Sequence, residues 1–414
     1  MSTPSIKVGQ GNWGIKAGNL LGYANTEKKF SPVEFTSTRA LNTATRVNAS
    51  GNIEIVNANV PRIDYFGGQA SLLVEPSAQN LALRSAELDN AVWTNALWGN
   101  WSNATATSST TIAPDGSTNA EELTFTAGTS SRLQRITGIA ASTTYTFSMY
   151  VMGKEGNNYQ NGIFLRIATG FNNALVATSA ATGRVDSTVS NTAWTRYSVT
   201  FTTPSSGVNE FNVGITVANS GTNPNATMIC WGAQLETGSV ATSYIPTTTG
   251  SVTRNADVIS LTGVAGLIGQ TEGTIYAEVN FSNLSDGSFI SIDPGSGSDF
   301  ILITKLSNLT IRVQLRRSSG SVVNIITSSA ITLGSHKIAL AYTNGNYVLY
   351  IDGNAAGTST NSTDYPASAL TRCSLSNTSY GIFADRIRAA SIYQTRLPNT
   401  TTDGSPSLQS ITTL

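Results

Sequence analysis

Apolar and polar residues alternate with a period of two along most of this chain. "AEELTFTAG", "TTYTFSMYVMG", "GIFLRIATG", "WTRYSVTFTTP", "EFNVGITV" and "ATMICWGAQLE" are runs of strand length divided by Gly, Pro or Asn. A second series follows in "GTIYAEVNF", "SFISI", "FILITK", "LTIRVQLRR", "VVNIIT", "HKIALAY" and "NYVLYIDG". Such alternation turns one face of each strand to a core and the other to solvent. β-Branched and aromatic residues, which suit a pleated surface, fill the runs. No window carries a helical stripe, so the pattern predicts an all-β chain. Asn344-Gly345 separates two apolar runs and predicts a hairpin with a type I′ turn.

The two series predict two all-β domains, sandwiches or barrels, in tandem after an irregular, partly extended N-terminal leader. Residues 1–75 lack clear periodicity, although Ile53, Ile55 and Val60 suggest short extended pieces. They hold too few patterned apolar positions for a core of their own, so their order is expected to come from a partner. The first sandwich is placed at 76–248, a connector with the next module's first strand at 249–270, and the second sandwich at 271–398. The polar, Thr/Ser-rich residues 399–414 read as a flexible tail. In the connector "TTTGSVTRNADV", β-branched threonines predict an extended joint that spaces the sandwiches without adding a sticky apolar surface.

A chain of 414 residues is long enough for two or three domains. Charged residues make up 12% of it and the formal net charge is zero, so it lacks the long-range field that favours nucleic acid or a membrane surface as partner. No apolar run approaches the roughly 18 residues of a membrane span, and the start lacks the apolar stretch of a signal peptide. Synthesis in a cytoplasm is the expectation. Cys230 and Cys373 lie far apart in strand sequence and read as small buried apolar residues.

Catalytic chemistry finds little support. A multi-histidine metal site is impossible because His336 is the one histidine of the chain, and His336 reads as a strand-edge residue near a turn. Nucleotide-binding fingerprints need helices that the pattern does not offer. Glycoside hydrolysis needs two carboxylates about 5 to 10 Å apart across a cleft. Glu272 and Glu278 are isolated, however, and Asp286, Asp293 and Asp299 lie in turn sequence where aspartate commonly caps. Asp293 and Asp299 in "DPGSGSD" are also conceivable calcium ligands, but their spacing fits no fixed ligand geometry and turn aspartates are the favoured reading. No catalytic residue, metal site or cofactor is therefore assigned, and the chain is not expected to be an enzyme.

Aromatic residues offer another chemistry. "AVWTNALWGNW" places Trp93, Trp98 and Trp101 close together, and flat rings in a shallow groove stack on the C–H faces of sugars. Trp98 and Trp101, in polar Asn/Gly-rich sequence, are the candidate glycan-binding residues; the alternative is that they pack beneath a loop or at a subunit contact. Trp93, Trp194 and Trp231 read as core.

The pieces "SLLVEPSAQNLALRSAELDNAVW", "TIAPDGSTNAEELTFT", "TYTFSMYVMG" and "WGAQLETGSVATSYIPTTTGSVTRNADV" resemble a recurrent module of bacteriophage virion proteins, itself similar to carbohydrate-binding modules. The second half, through "SHKIALAYTNGNYVLYIDGNAAG" and "GIFADRIRAASIYQTRLPN", resembles the laminin-G or concanavalin-like sandwich, with Ser335 where that family usually has tryptophan. The resemblance implies two jelly-roll sandwiches in tandem after an extended N-terminal leader, and a structural component of a virion, a head or tail fibre or a decoration protein. Such a protein would anchor by its N-terminus to other virion proteins, assemble as a homotrimer and display its sandwiches at the virion surface to bind glycans. A carbohydrate-binding adhesin is the alternative, and a glycan hydrolase a more distant one.

Overall fold

The computed structural model describes residues 3–10, 13–26, 28–93, 102–125, 130–155, 163–169, 175–178, 189–206, 210–217, 226–295, 299–317, 320–327, 329–361 and 369–413. Within them the chain is all-β, and the single α-helix has five residues. In the first sandwich Ala226–Thr237 pairs with Thr144–Gly153 and Glu121–Phe125, and Thr195–Thr202 and Thr105–Ser108 extend that sheet. The facing sheet is built on Glu210–Val217, between Ser130–Thr137 and Ile163–Thr169. The alternation read from the sequence turns Phe147, Val151, Leu165, Phe211, Val213 and Leu235 into the core between them. Trp93 and Trp231 are buried as expected, whereas Trp194 is only half-buried and its indole N–H donates to the Ile112 carbonyl at 2.9 Å.

In the second sandwich Glu272–Phe281 lies between Gly334–Thr343 and Asp385–Tyr393. The opposing sheet runs from Val258–Thr262 through Arg372–Ser376, Gly287–Asp293 and Phe300–Lys305 to Ile311–Arg317. The hairpin at Asn344-Gly345 is present, with Thr343 opposite Asn346. Only Gly345 takes a positive φ, 74°, so the turn is not type I′, which needs both central residues there. Cys230 and Cys373 are free and buried.

The N-terminal residues depart from the expected leader. Ile6–Gly9 pairs with Asp385–Tyr393, setting Ile6 opposite Ile392, and Asn19–Thr26 pairs with Ile6–Gly9. Lys29–Thr38 continues that sheet and then pairs with Val258–Thr262, so one strand closes both sheets of the second sandwich. Ile6, Val8, Leu20 and Phe35 are buried in its core. These apolar positions therefore need no partner chain to cover them. The tail is also ordered: Leu408–Thr412 is a helix with a reciprocal Ser407–Ser410 capping box. Its Leu408 is buried with Tyr276, Ala339, Val348 and Tyr350, because the outer sheet face is apolar there and the tail keeps it from water.

The threonine-rich joint is a weld. Asp257 receives Arg39 at 2.9 Å, Arg62 through both carboxylate oxygens, and the Glu75 backbone N–H at 3.0 Å. Glu75 pairs with Arg62 at 2.7 Å and Arg254 at 2.9 Å, and accepts from the Ser243 N–H and hydroxyl. All five charged residues are at most 4% exposed. Spare donors reach backbone carbonyls, Arg39 to Asn57 and Val60, Arg62 to Thr45, and Arg254 to Pro76. Thr242 and Thr247 are buried too: Thr242 donates to Glu236, and Thr247 to the Ala82 carbonyl. The connector thus carries the hydrogen bonds that lock the modules together, where a spacer was expected.

Removing one partner of a buried ion pair leaves an uncompensated charge. Asp257→Ala is expected to destabilise the protein by roughly 3–5 kcal/mol, and Leu20→Ala, which empties a core site at the N-terminus, by about 2–5 kcal/mol. Urea denaturation followed by tryptophan fluorescence and far-ultraviolet circular dichroism checks both. An unchanged midpoint for Leu20→Ala would mean that the N-terminal strands are not part of the folded core in solution.

Candidate functional site

The outer face of the second sandwich carries an open groove. Along Glu272–Phe281, Ile275, Ala277, Val279 and Phe281 point into the core, so Tyr276 and Glu278 must face outward. Register then sets a row across four strands: Tyr276 lies opposite Ser391, Ser391 opposite Lys7, and Lys7 opposite Tyr23. At about 4.8 Å per strand the row from Tyr276 to Tyr23 spans roughly 14 Å. Beside it, Glu278 is the direct cross-strand partner of Lys337.

Two depressions that share Gln10 follow this row. One, about 520 Å³, is lined by Gln10, Gly68, Gln69, Ala70, Tyr276, Glu278, Lys337 and Arg388. The other, about 470 Å³, shares Gln10 and adds Lys7, Tyr23 and Phe30. Their shape depends on Gly9, at φ 77°, where an added Cβ would sit 2.4 Å from the Arg388 carbonyl. This close approach lets Gln10 cross the strand edge, donating its N–H to Arg388 O at 3.2 Å and its side-chain amide to Ser391 Oγ at 3.1 Å. The Trp13 indole N–H holds the far wall through the Ala70 carbonyl at 3.1 Å.

Polar and aromatic groups share the lining, and several are held in place. Lys7 Nζ sits 4.1 Å from the centre of the Phe30 ring, a cation–π contact. Lys337 Nζ donates to the Thr413 carbonyl at 2.8 Å. Arg388 Nη1 is 3.9 Å from Glu278 Oε1, beyond hydrogen-bond range. Its buried Nε has no hydrogen-bond partner among the described residues. Burial, with the Glu278 charge next to it, raises the Tyr276 hydroxyl pKa, so this phenol stays protonated and able to donate.

Trp98 and Trp101 lie outside the described residues. Of the other residues weighed for chemistry, His336 is buried, with Nδ1 2.6 Å from Asp352 and Nε2 2.9 Å from the Thr332 carbonyl. It also stacks on Phe281, with 5.5 Å between ring centres. Asp293 accepts from the Gly295 N–H at 2.6 Å and pairs with Arg372 at 2.8 Å. Among the described residues no three Asp, Glu, His or Cys side chains group as metal ligands. Glu278, taken as isolated, is the one weighed carboxylate that lines the groove. Alternation alone could have placed Tyr276 and Glu278 on an outer face. Nothing in the sequence could have brought Gln10, Gln69 and Arg388 beside them.

No family model matches the chain, and no curated protein does. Similar solved structures include the CBM40 of the Ruminococcus gnavus IT-sialidase bound to α2,3-sialyllactose, 16% identical over 33% of this chain and 82% of that one, with a TM-score of 0.29. Domain 4 of AbnA, a GH43 extracellular arabinanase from Geobacillus stearothermophilus in complex with arabinotriose, is 17% identical over 42% and 82%, with a TM-score of 0.29. Mouse laminin α1 domains LG4-5 are 11% identical over 64% and 89%, with a TM-score of 0.21. These likenesses are too distant to carry a function.

One buried carboxylate gives a pH test of the first sandwich. Burial, with Asp89 and Glu87 nearby, lifts Glu121 from 4.5 to about 7 against the pull of Arg132. A folded-state value above the unfolded one means that the native state holds the proton more tightly. The stability this contributes is complete below about pH 4.5 and lost as pH rises through about 7. Glu121→Gln, neutral throughout, is expected to raise the urea midpoint at pH 8 and to change it little at pH 4.5. A variant less stable than the parent at pH 8 would mean that attraction to Arg132 outweighs burial.

Proposed function

We propose that this chain is a structural, non-enzymatic component of a bacteriophage virion that displays two welded β-sandwiches at the particle surface and binds saccharide in the outer-face groove of the second. The virion role is supported by the resemblance of residues 71–93, 111–126 and 231–258 to the phage module. The groove carries the binding role. It is open, it sets the rings of Tyr23 and Phe30 beside amide, ammonium and guanidinium donors, with Tyr276 buried in its floor, and its described lining has a single carboxylate. Sugars are bound by that combination, rings against their C–H faces and planar polar groups on their hydroxyls. The homotrimer implied by the resemblance is not needed to cover the apolar N-terminal residues, since Ile6, Val8, Leu20 and Phe35 are buried within the chain itself.

Two measurements test the proposal. Immunogold labelling of purified particles of the encoding phage should decorate the virion, and absence of the chain from such particles removes the virion role. Saccharide binding on a glycan array should weaken in Tyr23→Ala by roughly 2- to 10-fold, the worth of one ring contact. Tyr23 is 36% exposed, so the variant should melt like the parent. Equal binding by both proteins would place any saccharide site elsewhere.

A further inference from the structure

The charge of the groove points to a narrower ligand class. The chain as a whole is formally neutral, yet the two depressions are lined by Lys7, Lys337 and Arg388 against Glu278 alone. We propose that the groove selects saccharides bearing a carboxylate, with Arg388 as the group that receives it; this rests on the saccharide-binding reading above.

Arg388 is suited to that part by what it lacks. Arg39, Arg62 and Arg254 spend their terminal nitrogens on carboxylates and carbonyls within the weld, although Nε of Arg39 and of Arg254 has no partner among the described residues. The terminal nitrogen of Arg388 nearest Glu278 stays 3.9 Å from that carboxylate, beyond hydrogen-bond range. A planar fork of donors matches a carboxylate through two parallel hydrogen bonds. Its backbone is fixed, since the Arg388 carbonyl accepts from the Gln10 N–H. Lys337 adds charge from the neighbouring strand; its bond to the Thr413 carbonyl uses one of three ammonium donors. Lys7, held over Phe30, supplies charge in the adjoining depression. Gln10 and Gln69 offer amides for hydroxyl groups, and Glu278 repels an incoming anion while engaging hydroxyl donors.

The test uses the full-length chain on an array of neutral and carboxylated saccharides, followed by titration of the strongest binder and its carboxyl-reduced form. The expected result is a bound set dominated by carboxylated members, with affinity falling as salt rises. Carboxyl reduction and Arg388→Ala should each cost roughly 10- to 100-fold, the worth of one charged hydrogen-bonded contact. Glu278→Gln removes the repelling charge and should strengthen binding of the acidic saccharide about threefold or more. This gain cannot come from misfolding. A bound set made only of neutral saccharides overturns the inference and leaves the saccharide-binding reading standing, while no bound saccharide at all overturns that reading. Acidic binding indifferent to both Arg388→Ala and Glu278→Gln overturns the placement in this groove.

Discussion

The five buried charges around Asp257 are the constraint on which the rest of the structure depends. Arg39, Arg62, Glu75, Arg254 and Asp257 come from both sides of the first sandwich in sequence and meet where the two modules join. Taking each ion out of water is costly, and only a complete set of partners offsets it. The network therefore tolerates one arrangement of its segments. Arg62, linked to both carboxylates, binds its proton more firmly than usual despite burial, and Arg254 and Arg62, with hydrogen bonds from Ser243, hold Glu75 well below the ordinary carboxylate range. Replacing the set by apolar side chains of like volume could give equal stability, but without the directionality that fixes one module against the other.

That arrangement explains which parts of the protein were legible in its sequence. Within a sandwich, the parity of residues such as Phe147, Ile275 and Leu340 announces a core face, and the strands appear where the alternation places them. Pairing between distant segments leaves no such trace. Ile6 and Ile392 are opposite each other across nearly the whole chain, and the apolar residues of 6–38 are too sparse and too interrupted by Gly to signal that their complement lies at the other end. Likewise, Arg254 and Asp257 look like ordinary polar residues of a connector until Arg62 and Glu75 are placed beside them.

The candidate site divides along the same line. Tyr276 and Glu278 follow from alternation on one strand, whereas the groove exists only because the N-terminal strands are added to the sheet edge at Asp385–Tyr393. A sequence search for binding chemistry is drawn to concentrated signals such as the three tryptophans of residues 93–101. A lining assembled one residue at a time from Lys7, Gln10, Gln69, Lys337 and Arg388 has no local signature, since each of these is an unremarked polar residue of its own strand or turn.

The strand Lys29–Thr38, shared by both sheets of the second sandwich, has a consequence for how the protein is made. Its sheets need Val258–Thr262 on one side and, through Asn19–Thr26 and Ile6–Gly9, Asp385–Tyr393 on the other, two segments that are synthesised much later than it is. The first sandwich draws its sheets from residues 102–237 alone and can close during synthesis, as domains commonly do. Ile6–Gly9, Asn19–Thr26 and Lys29–Thr38 must wait, with their apolar faces uncovered, until Asp385–Tyr393 has been made. Contacts so far apart in sequence form slowly, so the second sandwich, and with it the groove, assembles after the first and is the more exposed of the two to aggregation.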